Sequence, residues 1–126
     1  MKKPAVASSY GTIYNHSDPI LLYQRIDGNE ARFSLRIPDN LIYFEGHFPG
    51  YPILPGVAQI KWVVELAERL PLSGDFSMMT KLKFMRLMTP GKRITLYLTA
   101  SPSDKSLDFR FHDDDGDYSC GQLVFK

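Results

Sequence analysis

Residues 20–26, ILLYQRI, form a short apolar-rich run, and after the turn DGN the segment ARFSLRI sets Ala31, Phe33, Leu35 and Ile37 against Arg32, Ser34 and Arg36. A period of two on either side of a turn predicts a hairpin with one buried face. Residues 38–55, PDNLIYFEGHFPGYPILP, are too dense in proline and glycine for regular structure. Beyond them Val57, Ile60, Val64 and Ala67 recur at helical spacing, and Val63, Leu66 and Leu70 widen the stripe. A helix is therefore predicted from Pro55-Gly56 to Pro71, largely enveloped by other structure, with proline tolerated in its first turn. After LSGD come four strand-like segments: MMTKLKFMRLM (78–88), RITLYLTA (93–100), SLDFRFH (106–112) and DYSCGQLVF (117–125). Two strands, one apolar helix and four strands must bury each other, which predicts an α+β domain with the helix on the concave face of a curved, mostly antiparallel sheet.

Composition narrows the class. A chain of 126 residues, 44% hydrophobic and 13% aromatic, suits one packed domain over residues 1–126, with polar, proline-broken residues 1–18 as an irregular arm. A net charge of +1 from 15 basic and 14 acidic side chains gives no whole-chain field for nucleic acid. The start, MKKPAVASSYGTIY, lacks the apolar run of a secretory signal, and no window suits a bilayer crossing, so a soluble cytoplasmic protein is expected, with no membrane partner. Cys120 stands alone, which excludes an internal disulfide framework, and its strand-like neighbours predict a small buried hydrophobe rather than a nucleophile. Asp113, Asp114 and Asp115 before Gly116 lack the ligand spacing and distal glutamate of a calcium loop, so they are read as a hairpin turn and no metal is expected.

The block GHFPGYPILPGV, residues 46–57, carries the candidate chemistry. It resembles the hotdog-fold beta-hydroxyacyl-acyl-carrier-protein dehydratases, and is most similar to the aryl-polyene branch, in which a PGVxQ segment is followed shortly by tryptophan. KFMRLMTPGK, residues 83–92, is similar to that family's strand ending in a proline-glycine turn. The resemblance covers residues 20–125 and is most specific over 46–62. It implies a hotdog fold, one long central helix wrapped by the sheet. It also implies dimers with sites at the subunit interface, and dehydration of 3-hydroxyacyl thioesters, carried on acyl carrier protein or coenzyme A, to trans-2-enoyl products without a cofactor.

Such a reaction needs a base for the proton alpha to the thioester, a donor for the enolate-like oxygen and an acid for the departing hydroxyl. His47 fits the base because an imidazole titrates near working pH, and Pro49, Pro52 and Pro55 stiffen the loop that holds it. Gly56 falls where the family's helix opens, so its amide and the helix dipole would meet the oxyanion. With no side chain at 56, a thioester is expected to approach closely. Phe48, Pro55, Val57, Phe84 and Arg86 are expected to bind the substrate.

Fourteen residues after the histidine the family carries an acidic residue, and here that position is Lys61. Three accounts follow: Lys61 is itself the acid, Glu65 one turn later takes over or pairs with it, or dehydration is lost. The last leaves a non-catalytic acyl-thioester-binding or partner subunit, or a thioesterase. Between these lies a heteromer in which a second hotdog chain supplies the acid to what is otherwise expected to be a homodimer. Lys81, Lys83, Arg86, Lys92 and Arg93 offer either a docking face for an acidic carrier or a solvated strand face, and the parity of Arg86 with Leu82 and Phe84 would turn it inward. Met78, Met79, Met85 and Met88 with Phe84 either line an acyl tunnel or fill the core.

Overall fold

The computed structural model describes residues 17–40 and 53–126. The elements follow as β1 (Ile20–Asp27), β2 (Glu30–Arg36), α1 (Gly56–Ala67), β3 (Phe76–Phe84), β4 (Arg93–Ser101), β5 (Ser106–Asp113) and β6 (Gly116–Phe125), with a short 3-10 turn at Pro102–Asp104. All pairings are antiparallel and the six strands lie in the order β1-β2-β4-β5-β6-β3. This is the α+β arrangement that the alternation predicts.

Registry puts every second residue of the central strands on one face. Phe33 pairs with Leu96, Leu98 with Phe109, and Leu107 with Leu123. These side chains are buried together with Trp62, Val63, Leu66 and Ala67 of α1. Outward positions carry Arg32, Tyr97, Arg110 and Gln122, so the sheet separates an apolar concave face from a polar convex one.

The helix ends at Ala67 rather than running to Pro71. Pro71 disfavours helical geometry at Leu70, and the last turn tightens, with Glu68 N–H donating to Glu65 O and Leu70 N–H to Ala67 O. Leu70 stays buried even so, whereas Val57, expected on the apolar stripe, is 77% exposed. Envelopment is partial: Val57, Lys61 and Glu65 form an exposed stripe at i, i+4 spacing.

Among the described residues β1 and β3 each pair with one strand and form the edges of the sheet. Every residue of β1 is exposed, so the first hairpin buries one face on β2 only. Strand β3 spans 76–84 rather than 78–88, because the amides of Met85 and Arg86 both turn to Tyr118 O and the chain leaves the ladder. Only Met88 of the four methionines is core, while Met78, Met79 and Met85 are exposed along or beside the edge. A bulge between Thr80 and Lys83 carries Lys81 at φ +56°, a left-handed conformation that breaks the edge ladder. Cys120 is half-buried rather than core, since it pairs with Arg110 on the convex face.

Candidate functional site

The approach to α1 is held by backbone bonds. Leu54 is buried, and its N–H donates to Met88 O at 2.8 Å, tying the segment before the helix to the β3–β4 connection. Pro55 is the N-cap in extended geometry, and its carbonyl accepts from Ala58 N at 3.1 Å and Gln59 N at 3.3 Å. Among the described residues no side chain caps the helix, and no acidic residue lies in its first turn. Gly56 and Val57 therefore present first-turn amides that have no intrahelical acceptor, at the positive end of the dipole.

A side chain at Gly56 is opposed from within the fold. A Cβ built there would lie 2.5 Å from Cζ and 2.9 Å from Cε1 of Phe84. The space beside Gly56 is thus filled by the Phe84 ring, which is itself 50% exposed at the end of β3. Gly56, Pro55, Val57 and Phe84 are brought together at one end of the helix. His47 and Phe48 lie outside the described residues.

Lys61 and Glu65 are one turn apart on the exposed stripe that begins at Val57. Lys61 Nζ lies 2.9 Å from Glu65 Oε2 and 3.7 Å from Asp18 Oδ1, so the Lys61 ammonium is held between two carboxylates. Near it the indole of Trp62 donates from Nε1 to Ser17 O at 2.9 Å, which fixes the chain before β1 across the helix. Asp18, Leu21, Trp62, Glu65 and Arg69 border a cleft of about 380 Å³ there.

Arg86 is occupied elsewhere. Its guanidinium pairs with Asp113, donates to Gly116 O at 2.8 Å and stacks 3.9 Å from the Tyr118 ring centroid. Tyr118 Oη donates to Asp113 Oδ2 at 2.6 Å, and the Asp115 amide donates to Asp113 Oδ1 at 2.8 Å. These donors, the Tyr118 hydroxyl first and Arg86 next, hold the Asp113 carboxyl down at about 2. Burial and the Asp113 carboxylate push Tyr118 up to about 12. The DDDG turn is therefore a closed structural knot that anchors Arg86. The other bases named with it do not adjoin through the sheet either: Lys81 and Lys83 sit on edge strand β3, while β5 and β6 separate them from Lys92 and Arg93 at the start of β4.

Gln59, the last residue of the PGVxQ segment, has a partner that sequence reasoning did not find, Ser119. Both are buried, and Ser119 Oγ donates to Gln59 Oε1 at 2.7 Å across the helix–sheet interface. The available signal was a polar residue on the apolar stripe, since Gln59 shares a face with Val63 and Leu66 at i+4 and i+7.

Comparison with known proteins gives these positions a context. A family model described as ApeI-like, ApeI dehydratase, matches residues 23–122. The chain is 34% identical over 96 residues to the 3-hydroxyacyl-[acyl-carrier-protein] dehydratase FabZ of Pelotomaculum thermopropionicum, covering 67% of this chain and 69% of that protein. With the FabZ of Oenococcus oeni it shares 28% identity over 105 residues, 74% of this chain and 76% of that protein. Among solved structures, a chain of the dehydratase heterocomplex ApeI:P from Xenorhabdus doucetiae superposes with TM-score 0.79 and 34% identity, covering 85% of this chain and 96% of that one. An uncharacterised protein from Erwinia carotovora subsp. atroseptica superposes with TM-score 0.75 and 29% identity, covering 86% and 95%.

Proposed function

This chain belongs to the ApeI-like dehydratase family, and from that premise we propose that it dehydrates 3-hydroxyacyl thioesters to trans-2-enoyl thioesters. His47 takes the proton alpha to the thioester. The amide of Gly56 stabilises the negative charge that develops on the thioester oxygen. Lys61 gives a proton to the beta-hydroxyl, which leaves as water. Phe48, Pro55, Val57 and Phe84 border the acyl thioester.

The observation that carries this reading is the opening of α1, where Pro55 leaves the helix without a side-chain cap or an acidic first turn. A bare helix start of this kind favours developing negative charge. Lys61 is assigned the acid because its ammonium is a hydrogen-bond donor, and Glu65, paired with it at 2.9 Å, holds it in place. The thioester is taken as carrier-protein bound, by analogy with the FabZ relatives, with a coenzyme A thioester as the smaller alternative. Among the described residues no helix is long and apolar enough to cross a membrane, which fits the cytoplasmic setting proposed here.

A second reading is favoured by Lys61 at the family's acidic position and by the similarity to a chain of a heterocomplex. In it, this chain pairs through an open sheet edge with another hotdog chain that supplies the acid. Incubating the purified protein with 3-hydroxyacyl-carrier thioesters of several lengths, alone and with a second hotdog subunit, and following enoyl product separates the two. Turnover by this chain alone supports the first reading. Turnover only with the second subunit supports the other, and tight binding without turnover in either case points to an acyl-binding subunit.

A further inference from the structure

The helix start has a buried support that the chemistry above leaves unused. Gln59 is the polar member among the buried residues of α1, and at 3% exposure its amide is removed from water. A buried amide is tolerated only when its donor and acceptor are both answered. Gln59 Nε2 donates to Leu54 O at 3.4 Å, and Gln59 Oε1 accepts from Ser119 Oγ at 2.7 Å. The carbonyl of Leu54 can only accept, so the amide nitrogen must face it, and the Ser119 hydroxyl then fixes the oxygen end.

Leu54 is in this way held at both ends of its backbone, by Met88 O on its N–H and by Gln59 on its C=O. Only Pro55, whose φ is locked by its ring, separates this clamp from Gly56. The geometry points to Gln59 as a positioning residue that, oriented by Ser119 on β6, fixes the direction of the Gly56 amide. The inference rests on the oxyanion role given to Gly56 above. A displacement near 1 Å at a reacting centre costs on the order of a hundredfold in rate, so a clamp two residues from the donor has leverage on turnover.

The test uses full-length Ser119→Ala and Gln59→Glu, with Gln59→Met as the apolar replacement of similar size. Ser119→Ala frees the Gln59 amide to turn over. Gln59→Met removes both the donor to Leu54 and the acceptor for Ser119, and Gln59→Glu loses the donor to Leu54 once its carboxyl is ionised. In variants whose sheet resonances match wild type, the 1H–15N signals of Gly56 and Val57 should move and their amides exchange faster. With a 3-hydroxyacyl-carrier thioester, kcat should fall roughly tenfold or more while KM changes less than about twofold, because ground-state binding is untouched. Unmoved Gly56 signals in folded Ser119→Ala and Gln59→Glu, or an unchanged kcat in a wild type that turns over, would overturn the positioning role. A wild type without turnover would count against the dehydratase reading alone, and the amide signals would still decide this one.

Discussion

The Phe84 ring fills the space that a side chain at Gly56 would need, with Cζ 2.5 Å from a Cβ placed there. Gly56 has an α-helical place at the first position of α1, so alanine would be acceptable to the backbone and it is the ring that opposes it. Gly56→Ala should therefore destabilise by about 1 to 3 kcal/mol through overpacking, toward the lower end because a half-exposed ring can rotate away. In a Phe84→Ala background the sign should reverse, with alanine at 56 neutral or stabilising by about 0.4 to 1 kcal/mol. Thermal melts of the two single variants and the double variant give the coupling. Additive effects would mean that the ring and Gly56 do not limit each other.

Asp113 ties the β5–β6 turn to Arg86 and Tyr118, and its carboxyl is depressed from 3.8 to about 2 in the folded chain. The unfolded chain holds its proton more tightly, so this contribution is full above 3.8 and is lost as pH falls toward about 2. Acid denaturation followed by circular dichroism should show stability falling through that window. Asp113→Asn should flatten the fall while lowering stability at neutral pH, and a slope unchanged by the substitution would exclude Asp113 as its source.

His112 faces the opposite kind of constraint. Its Nε2 is buried without a hydrogen-bond partner, and burial first, then the Arg110 and Arg32 charges, lower its pKa from 6.5, against Asp117 and the Asp113 backbone acting the other way. The neutral ring is favoured on folding, so stability is complete above 6.5 and declines as pH falls through the lower folded value. Imidazole signals in an NMR titration should place the His112 midpoint below 6.5, and a midpoint above it would contradict the buried placement.

The central strands were legible because each is buried on one face only, and the alternation of Leu107, Phe109 and Phe111 is a direct image of that. The edges were not. In β3 the apolar residues Met78, Met79 and Phe84 are exposed, so pattern alone could not tell an open edge from a core strand. Helix start and glycine position were readable from Pro55-Gly56, but the crowding beside the glycine was not, since Phe84 reaches it from another part of the chain. Gln59 was hidden similarly: its partner Ser119 is sixty positions away in sequence. Arg86 was placed inward by strand parity, yet the chain leaves β3 at Phe84 and delivers it to the Asp113 turn.

Lys61 tests how the proton for the leaving hydroxyl is supplied. Its pair with Glu65 is nearly half exposed, so Lys61→Ala should change stability by no more than about 1 kcal/mol. Loss of turnover would then be chemical in origin. If Lys61 is the proton donor, Lys61→Ala should lower kcat by about a hundredfold or more with the chain alone. If a partner chain supplies the acid, the mixed complex should keep its rate in Lys61→Ala, and the chain alone should be inactive in both forms.

Deuterium loss from the alpha carbon of a 3-hydroxyacyl-carrier thioester is the most direct measure of whether this helix start serves a base at His47. Wild type should release one alpha deuteron per enoyl product formed, and His47→Ala should slow that release by about a hundredfold to ten-thousandfold. Release from His47→Ala at the wild-type rate would contradict the account.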